Sequence, residues 1–196
     1  MTLVSRFHPL LVALHWILAV LIIAALALGA LVMAKLPNSD PMKVEALLSH
    51  MIGGGLILVL MLVRLVVRLR TEHPAPPSTG IRILDRLAWV SHRMLYGAVL
   101  GMAITGLIMA LQTGLPGILF RGGALPADFW VYPIRSVHYV ISRVLMTVIA
   151  LHIVGALYHT LFLRDGLLRR MFFGRRIVAA TDFPPALAKS ALETRS

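Results

Sequence analysis

Six histidines of this sequence fall in, or at the edge of, long apolar runs: His15, His50, His92, His138, His152 and His159. Neutral imidazole ligates metals and trades protons near neutral pH. An ionisable group inside a bilayer is costly, so it is rare there and is usually functional. The other two, His8 and His73, lie outside those runs and read as interfacial residues.

The spacing along the last run is the most informative. His152 follows His138 by fourteen residues, and His159 follows His152 by seven. In an α-helix fourteen residues turn through about 1400°, roughly 40° short of four turns, and rise about 21 Å. Seven more residues fall about 20° short of two turns. All three imidazoles therefore share one stripe, several turns apart. They cannot share one metal ion, and each needs a partner from another helix.

The elements that must supply those partners are membrane spans. Of the 196 residues 59% are hydrophobic and 14% charged, with a mean hydropathy of +0.86. A soluble domain carries far more charge. Leu10–Met33, Leu47–Leu69, Trp89–Gln112 and Ser136–Leu163 are each long enough to cross a hydrocarbon layer of about 30 Å. The first is too long for a cleaved signal peptide and lacks a convincing small-residue cleavage site, so it is expected to remain. The fold class is an all-α membrane protein, a four-transmembrane-helix bundle. Residues 1–176 form its single domain. Residues 177–196, with Pro184 and Pro185, read as a mobile cytoplasmic tail.

Charge sets the orientation. Arg64, Arg68, Arg70, Arg82 and Arg86 surround the second connector, and Arg164, Arg169, Arg170, Arg175 and Arg176 follow the last span. The other connectors hold only Lys35 and Lys43, then Arg121 and Arg135. Positive residues stay inside, so both termini are expected to be cytoplasmic. The net charge of +11 is thereby read as orientation and anionic-lipid contact, with no nucleic-acid partner.

This topology pairs histidines by depth. The second and fourth spans both begin outside, which brings His50 level with His138. The first begins inside, so His15 meets either His152 or His159. Depth counting slightly favours His159. His152 brings the two sites to about 21 Å instead of about 31 Å. Electron tunnelling falls exponentially with distance, which selects His152. Two bis-histidine pairs between transmembrane helices suit two b haems, whose irons take axial ligands on opposite faces of an apolar macrocycle. His15 and His152 would hold the inner iron, His50 and His138 the outer. Gly53, Gly54 and Gly55 after His50, and Gly97, Gly101 and Gly106 in the third span, provide room or close packing. Zinc lacks a third and fourth ligand here. With no cysteine, thiolate sites, iron–sulfur clusters and covalent haem attachment are excluded. His159, left out of both pairs, is placed to hydrogen-bond a quinone carbonyl and hand over a proton. Capping the helix end is its alternative role.

His15-Trp16, His50 with its glycines, the His138…His152 spacing and HIVGALYHTLFLRDGLLRRM (His152–Met171) together resemble the bacterial cytochrome b561 family over residues 1–175. The family's ligands match His15 with His152 and His50 with His138. It often has a second histidine after the one matching His159; Thr160 stands there. SHRMLYG (Ser91–Gly97) resembles the start of the family's third helix, making His92 a candidate for the quinone pocket.

The resemblance implies a bacterial inner-membrane oxidoreductase. Electrons would pass from a periplasmic donor, superoxide in one small di-haem member, to membrane ubiquinone. One alternative is a cytochrome b subunit linking a periplasmic dehydrogenase or hydrogenase to quinone. A second is a non-haem transporter or structural membrane protein. Lys35, Lys43, Arg121 and Arg135 could steer an anionic donor, or simply anchor the outer interface. Arg64 and Arg68 could neutralise inner propionates, or merely mark the end of the second span. Arg143 could snorkel, meet a propionate or contact a neighbouring helix.

Overall fold

The computed structural model describes residues 2–74, 80–174 and 177–179. Among these, four helices are long and apolar enough to span a membrane: Pro9–Met33, Pro41–Arg70, Arg82–Gln112 and Pro133–Leu163. The first comprises α1 (Pro9–Ala27) and a π-helical turn, Leu28–Met33. The second and third are α2 (Pro41–Arg70) and α3 (Arg82–Gln112). A short α4 (Leu115–Arg121), which hydropathy does not mark, lies in the connector before α5 (Pro133–Tyr158). α5 continues as a second π-helical turn, His159–Leu163.

Local chemistry sets the helix ends. Pro9, Pro41 and Pro133 open α1, α2 and α5, where a missing N–H costs nothing. Asp40 caps α2 by accepting from the Met42 N–H at 2.9 Å. His8 Nδ1 accepts from the Leu10 N–H at 3.2 Å, so this histidine caps α1. Gly114 ends α3 in the left-handed region at φ 66°. Arg164, at φ 50°, turns the chain after α5.

The helices run up and down as neighbours, with α3 against α5, α1 against α2, and α2 against α3. Leu18, Ile57, Met61, Val99 and Leu145 are buried together in the middle. Leu47, Ala110, Leu115 and Phe129 form a second cluster near α4. The outer faces of the long helices expose apolar side chains such as Val20, Val59, Leu107 and Val140, as hydrocarbon contact requires.

The chain after α5 folds back under the bundle. Arg6 Nη1 donates to the carbonyls of Arg169, Phe172 and Phe173 at 2.8, 3.0 and 3.2 Å. Trp16 Nε1 donates to the Met171 carbonyl at 2.8 Å. Two short strands complete the strap: β1 (Thr2–Val4) pairs antiparallel with β2 (Ile177–Ala179). Residues 177–179, which by composition belong to a mobile tail, thus join the strap instead, because a free strand edge at the N-terminus accepts them. The rest of that tail, with Pro184 and Pro185, and also Arg175 and Arg176, lies outside the described residues.

Leu145 is 2% exposed and stands seven residues from both His138 and His152. Leu145→Ala is expected to leave a cavity between the two histidine levels and to cost about 2–5 kcal/mol. Thermal unfolding in detergent should show a lower midpoint than for a substitution at exposed Val140.

Candidate functional site

Two histidine pairs occupy opposite ends of the bundle. Near the end that carries the strap, the His15 ring of α1 stands 6.4 Å from the His152 ring of α5, centroid to centroid. At the far end, His50 of α2 and His138 of α5 are also 6.4 Å apart. The planes within the pairs are inclined by 70° and 75°. A metal–imidazole bond is about 2.0 Å and a ring radius about 1.1 Å, so rings on opposite sides of one metal have centroids roughly 6.2 Å apart. Both pairs match that spacing.

Among the described residues, no group of three or more His, Asp or Glu could hold a metal ion. Two ligands alone suit a metal that brings its own equatorial donors, as haem iron does. The far pair shows further signs of such a role. It lines an apolar cavity together with Ala25, Gly54, Met102 and Ala103. The Thr105 hydroxyl donates to the Gly101 carbonyl at 2.7 Å, so its lone pair accepts from His138 Nδ1–H at 2.9 Å. That leaves His138 Nε2 available as a ligand atom. His50 Nδ1 is buried; the Ala25 carbonyl lies near this ring, but no well-aligned hydrogen bond from the described residues reaches Nδ1.

Glycines bound the same site. A Cβ at Gly106 would stand 3.3 Å from His138 Cε1, and one at Gly29 would stand 3.7 Å from His50 Cε1. A Cβ added at Gly53, Gly54 or Gly55 would meet nothing within 4 Å, so none of the three serves a tight helix contact, and Gly54 lines the cavity with His50.

At the other end a third histidine joins the pair. The His92 ring lies 5.2 Å from His152 at 88°, and its Nδ1 donates to the Ala88 carbonyl at 2.6 Å. Trp16 packs 5.2 Å from His15. Arg64 donates to the Leu11 carbonyl at 2.5 Å and lies over the Tyr96 ring, which Arg68 also approaches.

His159 stands apart from both pairs. The sequence offers it no partner, but in the structure its Nδ1–H donates to Asp165 Oδ2 at 2.5 Å. Asp165 Oδ1 accepts from the Leu167 N–H at 3.0 Å. Arg143 stays with its own helix: it donates to the Tyr139 hydroxyl at 3.2 Å and lies 5.0 Å from the centre of that ring. Lys43 is buried and caps the end of the first span by donating to the Met33 and Leu36 carbonyls.

Sequence reading misses Thr105, Gly29, Lys43 as a cap, and Asp165. Asp165 does leave a signal: it is the sole acidic residue between Asp128 and Asp182, set in an arginine-rich stretch. Thr105 leaves almost none, since hydroxyls in apolar helices usually bond back to their own turn.

An antiparallel four-helix membrane bundle with a cross-helix imidazole pair at each end defines a membrane cytochrome of the b type. The chain belongs to the prokaryotic cytochrome b561 family, whose model matches residues 6–174. This is a family of transmembrane electron-transfer proteins that bind b haem. A relative from Yersinia pestis, a "Probable superoxide oxidase CybB", is 27% identical over 181 residues, covering 88% of this chain and 98% of its own.

The strap has a predictable acid limit. Partial burial pushes the Asp165 carboxyl up, but the hydrogen bonds from His159 and the Leu167 N–H outweigh burial and hold it below its ordinary 3.8. A carboxyl depressed in the folded state contributes stability above its unfolded value, and that contribution is lost as pH falls through the folded one. Hydrogen-exchange protection of residues 165–171 should therefore be retained down to about pH 4 and decline below it. Asp165→Asn should remove that decline.

Proposed function

We propose that this chain is a di-haem b protein of the bacterial inner membrane that oxidises superoxide at the periplasmic face and reduces ubiquinone at the cytoplasmic face. The observation that carries the reading is the equal 6.4 Å spacing of the two histidine pairs, one at each end of the bundle. His15 and His152 are the proposed ligands of the inner iron, and His50 and His138 those of the outer iron. Bound haem b supplies one-electron redox chemistry at each level.

The chain's own residues supply the rest. Thr105 orients His138 by holding its Nδ1–H. Leu18, Met61, Val99 and Leu145 keep the interval between the pairs dry. Arg64, Arg68, Arg70, Arg164, Arg169 and Arg170 gather at the end that carries the strap, which supports a cytoplasmic placement of that end. Lys35 and Arg121 are exposed at the opposite end, where cations attract a small anion. Arg135 lies there over the Trp130 ring at 4.5 Å. The balance is simple: two superoxide anions each lose one electron to give dioxygen, and one quinone takes two electrons and two protons. The Yersinia relative's name supports superoxide as the donor. Residues 1–176 would act as the functional domain.

A pyridine haemochrome assay on the purified protein should give two b haems per chain, and superoxide should reduce them rapidly. His152→Ala and His50→Ala should each remove one haem. His159→Ala should keep both and slow quinone reduction by about 100-fold, the lower end of what a general acid contributes. One haem per chain in the unmodified protein, or haem loss from His159→Ala, would require a different ligand set. Thr105→Val should weaken retention of the outer haem by about 10–100-fold in competition with apomyoglobin.

A further inference from the structure

The contact between His159 and Asp165 goes further than an interfacial ion pair. Arg164, at φ 50°, folds the chain back so that Asp165 faces His159, the first residue of the π-helical turn that follows α5. Both carboxylate oxygens are then engaged: Oδ2 by His159 Nδ1 at 2.5 Å and Oδ1 by the Leu167 N–H at 3.0 Å. A carboxylate held at both oxygens cannot turn away from the imidazole. The His159 side chain is 12% exposed and that of Asp165 is 29% exposed. The imidazole is thus largely shielded, and the carboxylate keeps its access to water.

We infer that Asp165 is the positioning residue for quinone protonation: it holds Nδ1–H of His159, so that the proton given to the quinone leaves from Nε2. This rests on the quinone site proposed above. An imidazole has two nitrogens, and the hydrogen bond made by one decides what the other can do. With Nδ1–H committed to Asp165, the doubly protonated ring can release only the Nε2 proton. The neutral ring left behind has its lone pair on Nε2, ready for the next proton from cytoplasmic water. Of the two protons each quinone takes up, Nε2 delivers the one for the carbonyl oxygen that faces it; the other oxygen takes its proton from cytoplasmic water, and the two electrons come from two superoxide anions. Asp165 remains ionised throughout and accepts no proton.

The test uses the haem-loaded protein in detergent, with superoxide as donor and a short-chain ubiquinone as acceptor. Haem content, the rate of haem reduction, kcat and the quinone KM are measured for each variant. Asp165→Asn should keep both haems and their reduction rate, leave KM within about twofold, and lower kcat by about 10–100-fold. Asp165→Glu, which retains the carboxylate, should recover most of kcat. In a His159→Gln background, Asp165→Asn should cost nothing further, because residues acting as one unit are not additive. Three results would overturn the inference while sparing the quinone site: an unchanged kcat in Asp165→Asn beside a slowed His159→Gln, additive losses in the double variant, or equal losses in the Glu and Asn variants. A kcat unaffected by His159→Gln would overturn the quinone site itself, and this inference with it.

Discussion

Everything in this bundle follows from the cost of placing imidazoles in an apolar core. Each buried ring needs a partner at its own depth, and the bundle meets that demand by facing one helix against another. α5 contributes to both pairs, with His138 at one end and His152 at the other. Its pitch therefore sets the vertical separation of the two levels. α1 and α2 need only bring one histidine each to the right height, and their opposite directions do so. The apolar cluster around Leu145 then packs between the two levels.

The two ends are built differently. At the far end, His138 is held by a hydroxyl from α3, with glycines pressed close to both rings. Such a setting fixes ring orientation tightly. At the end with the strap, His152 has a further histidine and His15 a tryptophan for neighbours. Trp16 also anchors the strap that crosses beneath the bundle. In the proposed function this asymmetry matches a far end that exchanges electrons with a small anion and a near end that must also move protons.

The cationic residues divide between structural and solvent-facing roles. Lys43 spends its charge on the carbonyls left open by the end of the first span. Arg64 donates to the Leu11 carbonyl in the first turn of α1, and Arg6 to carbonyls of the strap. Lys43 is thereby buried, while Lys35 and Arg121 stay exposed. Charge counting along a chain cannot make that distinction, because it does not see which carbonyls lack partners.

The sequence by itself determined the four spans, the shared stripe on α5 and the level match of His50 with His138. These follow from hydropathy and helix pitch, which are properties of consecutive residues. Tertiary structure decided which histidine meets His15, since helix tilt and the depth of each span depend on packing between distant segments. It also decided the partners of Thr105, Lys43 and Asp165, and the pairing of residues 2–4 with 177–179. A hydrogen bond between residues far apart, or across a reversed turn, leaves no period in the sequence, so only the folded chain could reveal it.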